Sequence, residues 1–239
     1  MNRRSARLAF LLAAIAIPVG GCAQWESIGA RRERDGMVDV PGGPFLIGCN
    51  DSECYPGESA QQTVSLPPFS IDRTEVTIAA YRECVRAGAC TEPGSEGNWA
   101  RPGHDQHPVD SVDREQAAAY CRWKGKRLPT DPEWEKAARG TDGRRFPWGN
   151  DPPTCDHAVL AECGAEAQPV GGRAAGASPY GALDMAGNVW EWTADADADG
   201  KGGARGGSWK NHPRGARSSG RASVELGKRE LIVGFRCAR

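Results

Sequence analysis

Apolar positions along this chain come in short bursts of changing period, and each burst predicts a short element. Residues 8–19 are a continuous apolar run behind a basic head of Arg3, Arg4 and Arg7. The run is too short to span a bilayer core of about 30 Å as a helix, and its make-up is that of a secretion signal. Residues 23–36 are charged and aperiodic, which reads as a tether. Residues 37–49 alternate around Pro41-Gly42-Gly43 and predict two short strands; residues 63–71, around Pro67-Pro68, predict one more. Between 77 and 87, Ile78, Tyr81, Cys84 and Val85 recur at helical spacing until Gly88. Residues 113–124 predict a second helix with Ala117, Tyr120 and Cys121 on one face and Gly125 as its stop. Thr130-Asp131-Pro132-Glu133 is a capping box with an early proline, opening a helix through Trp134, Ala137 and Ala138 that stops at Gly140. From Phe146 onward the chain is rich in glycine and aromatics, without helical period. No internal repeat is visible. The pattern predicts an α+β domain over residues 37–239 with little regular secondary structure.

Composition sharpens this. The chain carries 31 glycines, 17 prolines and 8 tryptophans in 239 residues. That mixture suits a single folded domain with long irregular loops and indoles in its core, with Trp123, Trp134, Trp148, Trp190 and Trp192 as the candidates. Val19-Gly20-Gly21-Cys22 resembles a bacterial lipobox, in which Cys22 is acylated with palmitate-type chains after residues 1–21 are removed and residues 22–36 become the tether. An ordinary signal peptide with an incidental Cys22 is the other reading. Ala23 is not the aspartate that retains lipoproteins at the inner membrane, so an outer-membrane or cell-surface destination in the envelope is expected. The lipid anchor makes the membrane itself a partner. Cleavage removes three arginines and no acid, so formal charge moves from −1 to −4. Nothing in that balance suggests nucleic acid; Arg31-Arg32-Glu33-Arg34 reads as solvated tether. Nine cysteines less Cys22 leaves an even number in an exported chain, so disulfides are the default. Spacing suggests Cys49 with Cys54, Cys84 with Cys90, Cys155 with Cys163, and Cys121 with Cys237. Other connectivities stay open at this point.

Five segments then line up in order. They are Ile71-Asp72-Arg73-Thr74-Glu75-Val76-Thr77; Ala119-Tyr120-Cys121-Arg122-Trp123 through Glu135; Phe146-Pro147-Trp148-Gly149; Tyr180-Gly181-Ala182-Leu183-Asp184-Met185-Ala186-Gly187-Asn188-Val189-Trp190-Glu191-Trp192; and Arg205-Gly206-Gly207-Ser208-Trp209 with Gly234-Phe235-Arg236-Cys237. Together they strongly resemble the formylglycine-generating enzyme (sulfatase-modifying factor) family over residues 37–239. The resemblance implies a fold related to C-type-lectin-like domains, disulfide-stapled, with bound calcium. It also implies an oxidase that converts a sulfatase cysteine to formylglycine with oxygen and a copper(I) ion held by two cysteines. Those cysteines follow the Gly-Gly-Ser segment, and their places here hold Asn211 and Ala216. Copper(I) is soft and selects thiolate sulfur, so copper is not expected. The only cysteine pair with four intervening residues is Cys49 and Cys54, at the wrong end of the domain for that segment, and it reads as a disulfide.

For calcium the resemblance carries over the carboxylates of Asp184 and Glu191 and the carbonyls of Gly187 and Val189, hard oxygens of mixed origin. The other reading has both carboxylates bonding backbone amides in a tight loop. No second site is carried over at Asp156-His157. Asp195-Ala196-Asp197-Ala198-Asp199-Gly200 imitates half of an EF-hand but meets Gly206 where a glutamate is required, and reads as an acidic loop. His104 and His107 read as surface histidines. The expectation is therefore an envelope lipoprotein whose domain binds or assembles with an unidentified envelope protein or glycan. The alternative is an oxidoreductase of the same family with altered chemistry, for which Ser208, Asn211 and His212 are the candidate catalytic residues. A formylglycine generator with unusual ligands comes last.

Overall fold

The two prolines at 67 and 68 cut the strand expected over residues 63–71 into two. Neither can donate a ladder hydrogen bond, and the halves join different sheets. The computed structural model of the protein describes residues 33–34, 36–54, 58–94, 97–196 and 199–239, with side chains from residue 36 onward. The leader, Cys22 and most of the tether lie outside the described residues. Strand β1 (Glu33–Arg34) pairs with β2 (Met37–Val40). Strand β3 (Gly43–Ile47) pairs antiparallel with β4 (Gln62–Leu66), and β2 pairs antiparallel with β5 (Phe69–Asp72). The turn is tight at Gly42, where a Cβ would stand 2.9 Å from Pro68 Cδ.

Helix α1 (Ile78–Arg86) starts where Thr77 Oγ1 accepts the amide of Ala80, and buries Ile78, Tyr81 and Cys84. Helix α2 (Arg114–Trp123) opens on an Asp113/Gln116 capping box. Tyr120 of α2 stacks on Tyr81, and Phe235 meets it edge-on. The Cys121–Cys237 disulfide lies in the same apolar cluster and ties the C-terminal segment to α2.

Helix α3 (Asp131–Arg139) opens on the expected Thr130/Glu133 box and stops at Gly140, whose φ is +73°. Its charged residues are buried: Glu135 and Lys136 are 1% exposed and Arg139 2%. Arg139 Nη1 donates to Glu135 Oε1 (2.8 Å) and to the Gly48 carbonyl (2.6 Å). Lys136 Nζ donates to the carbonyls of Pro41 and Gly43. The helix is a polar hub inserted between the β3–β4 hairpin and a third, four-stranded sheet.

That sheet holds β6 (Trp190–Ala196), β7 (Gly202–Arg205), β8 (Arg221–Val224) and β9 (Val233–Gly234) in the order β8-β7-β6-β9, with β6 and β9 parallel. Between α3 and β6 the described residues contain only a single 3-10 turn, in keeping with the helix-free second half. The indole expectation is corrected in part: Trp134 and Trp192 are fully buried, Trp148 and Trp190 half-buried, and Trp123 is 36% exposed. His107 is also corrected: it is buried, its ring 4.2 Å from that of His104. Asp195 belongs to β6 rather than to a loop, and Asp197 and Ala198 lie outside the described residues. Cysteines pair 49–54, 84–90, 121–237 and 155–163. Among the described residues, no helix is long and apolar enough to cross a membrane.

Candidate functional site

The segment after Gly-Gly-Ser is shaped by backbone conformations that only glycine adopts at low cost. Gly206 and Gly207 have φ of +96° and +80°, and a Cβ on Gly207 would sit 2.8 Å from the Gly215 carbonyl oxygen. The doubled glycine thus lets residues 207 and 215 touch and closes a small loop. Asn211 stands inside it. Its Oδ1 accepts from the Ser208 amide (2.9 Å) and the Ser208 hydroxyl (2.8 Å), and Ser208 has no exposed surface. Ala216 is also fully buried, its methyl group among Ala158, Leu160 and Ala186. His212 points outward, with its side chain 82% exposed and 3.8 Å from Glu162. Of the three candidate catalytic residues, two bind each other as scaffold and the third faces solvent away from them. Neither Asn211 nor Ala216 offers sulfur, so the donor set does not fit copper(I).

The loop from Asp184 to Glu191 lies beneath this segment. The Gly187 amide donates to the Gly206 carbonyl, and the Trp209 amide donates to the Asn188 carbonyl. Asp184, Gly187 and Asn188 all have positive φ. Under them lies a set of buried charges. Arg236, with no exposed surface, donates through Nε to Glu191 Oε2 (2.6 Å) and through Nη2 to Oε1 (2.7 Å) and the Leu183 carbonyl. Trp134 Nε1 also donates to Glu191 Oε2, at 2.7 Å. Asp184 Oδ2 accepts the Gly171 amide, and Asn188 Nδ2 donates to Glu75 Oε1 at 2.9 Å. Glu75 Oε2 is buried with no hydrogen-bond partner.

Burial, reinforced by the neighbouring Asp184 charge, lifts the Glu75 carboxyl well above the usual range. Burial lifts Asp184 as well, against the Gly171 amide and Arg236. It also lifts Glu191, in spite of Arg236 and Trp134. The cluster therefore sets three carboxyl groups around one fully buried guanidinium in a poorly solvated place, where burial disfavours ionising all three together. The four expected calcium ligands fit a hard cation in chemistry. Glu191 Oε1 accepts one bond and keeps a lone-pair direction. Among the described residues, no backbone hydrogen bond outside helices and strands ends on the Gly187 or Val189 carbonyl.

Sequence reasoning gave Glu75 and Arg236 no role, although both stand in the quoted segments. The available signal was local: Arg236 between Phe235 and Cys237, and Glu75 beside Val76, are charges in apolar surroundings and so need buried partners. It also treated Cys49–Cys54 as remote from the Gly-Gly-Ser segment. The structure corrects that. Arg214 Nε donates to the Glu53 carbonyl (3.0 Å), Arg214 Nη2 to the Cys54 carbonyl (3.3 Å), and Arg217 Nη2 to Cys49 Sγ (3.0 Å). The 49–54 loop lies directly against residues 214–217.

Residues 26–239 match the family described as the sulfatase-modifying factor enzyme 1-like domain. This chain belongs to that family. It is 33% identical to the formylglycine-generating enzyme of Streptomyces coelicolor, with 94% of this chain and 96% of that enzyme covered. It is 37% identical to the hercynine oxygenase of Mycolicibacterium smegmatis over 65% of this chain, and spans 44% of that enzyme's length. It is 31% identical to the inactive C-alpha-formylglycine-generating enzyme 2 of Bos taurus, covering 84% of this chain and 87% of that protein. Among solved structures, PvdO from Pseudomonas aeruginosa superposes with a TM-score of 0.74 at 26% identity, covering 85% of this chain and 93% of PvdO. The sulfatase-modifying-factor domain thus occurs here in its loop-rich α+β form, in a family whose names include both oxygenases and inactive forms.

Proposed function

We propose that this chain is a lipid-anchored envelope protein whose sulfatase-modifying-factor domain serves as a binding or assembly module without oxidase chemistry at copper. One observation carries the reading: the two places of the copper thiolates hold an amide committed to Ser208 and a methyl packed among Ala158, Leu160 and Ala186. An amide oxygen is a poor ligand for a soft monovalent ion and a methyl group is none. Ser208 is not a free nucleophile, because its hydroxyl donates to Asn211. The rigid hub around α3 and four disulfides suit a scaffold that presents loops to an envelope protein or glycan. Anchoring rests on the Val19-Gly20-Gly21-Cys22 pattern. Calcium, held by Asp184 and Glu191 carboxylates with the Gly187 and Val189 carbonyls, would favour the ionised form of those carboxyls and stiffen the loop beneath residues 206–209.

The reading is tested with the full-length chain, supplied with copper(I), oxygen and a cysteine-containing sulfatase peptide, while the same chain is used as bait in detergent-solubilised envelopes. The expected result is no oxygen consumption and no aldehyde product, together with a specific co-purifying envelope component lost on mutation of the surface loops. Peptide-dependent oxygen uptake would overturn it.

A further inference from the structure

The disulfide that closes the 49–54 loop has an electrostatic setting the other three lack. Arg217 is 1% exposed, and its Nη2 donates to Cys49 Sγ at 3.0 Å and to Asp51 Oδ2 at 2.8 Å. Its Nε and Nη1 have no hydrogen-bond acceptor; the nearest carboxylates, Glu58 and Glu53, stand at 3.7 and 3.6 Å. Arg145 approaches the same Asp51 oxygen at 3.1 Å. Asp51 and Glu53 of the loop, with Glu58, thus face Arg145 and Arg217; Asp51 Oδ1 stands 3.7 Å from Cys49 Sγ, and the Arg217 guanidinium is closer, at 3.0 Å. Nη2 is thus shared between a carboxylate and a disulfide sulfur, and the sulfur is a weak acceptor while the bond is closed. A thiolate in the same place would accept a charge-assisted hydrogen bond. Among the described residues, no other disulfide sulfur is hydrogen-bonded by a guanidinium.

Access differs between the two sulfurs as well. Cys49 is 6% exposed, whereas Cys54 is half-buried beside the exposed Ser52 and Glu53. Cys54 is the more exposed of the two residues, and attack on its sulfur displaces the one beside Arg217. Exchange is fastest when the attacked sulfur is open and the leaving thiolate is stabilised. The bond is thus polarised in one direction by the fold.

We propose that Cys49–Cys54 is an exchange-competent disulfide that accepts two electrons from an external thiol pair, on the face of the domain formed by residues 214–217. The attacking thiol gives its proton to solvent and its sulfur bonds to Cys54 Sγ. The Cys49–Cys54 bond breaks, and Cys49 leaves as a thiolate beside Arg217. The second external thiolate then attacks the first external sulfur, forming the external disulfide, and Cys54 leaves and is protonated by solvent. The external pair is oxidised and the Cys49–Cys54 pair is reduced, with no metal involved. This activity goes beyond the binding role proposed above and stands or falls separately from it.

The test uses the full-length chain in graded reduced-to-oxidised glutathione and dithiothreitol buffers, with alkylation and peptide mass spectrometry to read each cysteine. The Cys155–Cys163 pair is an internal control, since Cys155 is exposed and its loop is of similar length. The expected result is a Cys49–Cys54 equilibrium constant for reduction at least about tenfold larger than that of the more exposed control. Under glutathione the mixed disulfide should appear on Cys54 and not on Cys49. Arg217→Gln should bring the pair down to the control, and Arg217→Lys should restore part of the difference, with Cys121–Cys237 remaining oxidised throughout as the sign of a folded chain. If the unaltered chain reduces Cys49–Cys54 no more readily than Cys155–Cys163, or carries its glutathione on Cys49, the proposal is wrong whatever the variants do.

Discussion

Asn211 Oδ1 accepts from both the amide and the hydroxyl of Ser208, and Ser208 has no exposed surface. Removing the amide leaves two buried donors unsatisfied, at about 1–3 kcal/mol for each such group. Asn211→Ala should therefore destabilise the domain by about 2 kcal/mol in urea unfolding, a large effect for a half-buried position; a loss near zero would mean that the residue is idle. Asp110 is a second single-residue case. It is 3% exposed and accepts from the Asn98 amide and side chain at 3.1 Å each, and burial pushes its carboxyl up to about 6. A raised carboxyl favours folding while it is protonated. That stability is complete below the ordinary carboxylate range and is lost as pH rises through about 6. Between about pH 4 and pH 7 the unaltered chain should lose on the order of 2 kcal/mol more stability than Asp110→Asn. Parallel pH profiles for the two proteins would contradict the assignment.

At the scale of elements, much was legible from caps and breaks. Thr77, Asp113 and Thr130 all open helices because a side-chain oxygen can satisfy a free amide of the first turn, which is a local interaction. Pro67-Pro68 fell inside what alternation gave as one strand, and the change of sheet there was not legible, since strand partners are chosen by long-range packing. The burial of helix α3 was not legible for the same reason. Its sequence Asp-Pro-Glu-Trp-Glu-Lys-Ala-Ala-Arg has a polar face by period, but that face is covered by the β3–β4 hairpin and by β7, so its charges are structural. Glu135 bridges Arg139 (2.8 Å) and Arg205 (3.0 Å) within the interior. Truncating it strands buried guanidinium charge, and breaking such pairs costs about 3–5 kcal/mol. Glu135→Ala should show that loss in chemical denaturation, whereas an exposed helix glutamate changes stability by about 0.5 kcal/mol or less.

At the scale of the molecule, the site is a stack: the buried carboxylates and Arg236 at the bottom, the Asp184–Glu191 loop above them, and the 206–217 segment on top. Its lower layers could be placed only in three dimensions, because Glu75, the Asp184–Glu191 pair and Arg236 come from three separate stretches of sequence. Three carboxyl groups there with one guanidinium between them predict that calcium, by binding their ionised forms, stabilises the whole domain. At a concentration about a hundredfold above Kd, binding adds about 2.7 kcal/mol and should raise Tm by roughly 5–10 °C over a chelator-treated sample. Asp184→Ala should abolish the difference; equal melting with and without calcium would contradict it. The upper layer carries the central claim that the scaffold has no copper centre. The most direct measurement is a copper(I) titration of the full-length, disulfide-intact chain against a competing chelator. The account predicts that the chelator keeps the metal. One equivalent withdrawn at sub-nanomolar affinity, with thiolate-to-copper absorption, would contradict it.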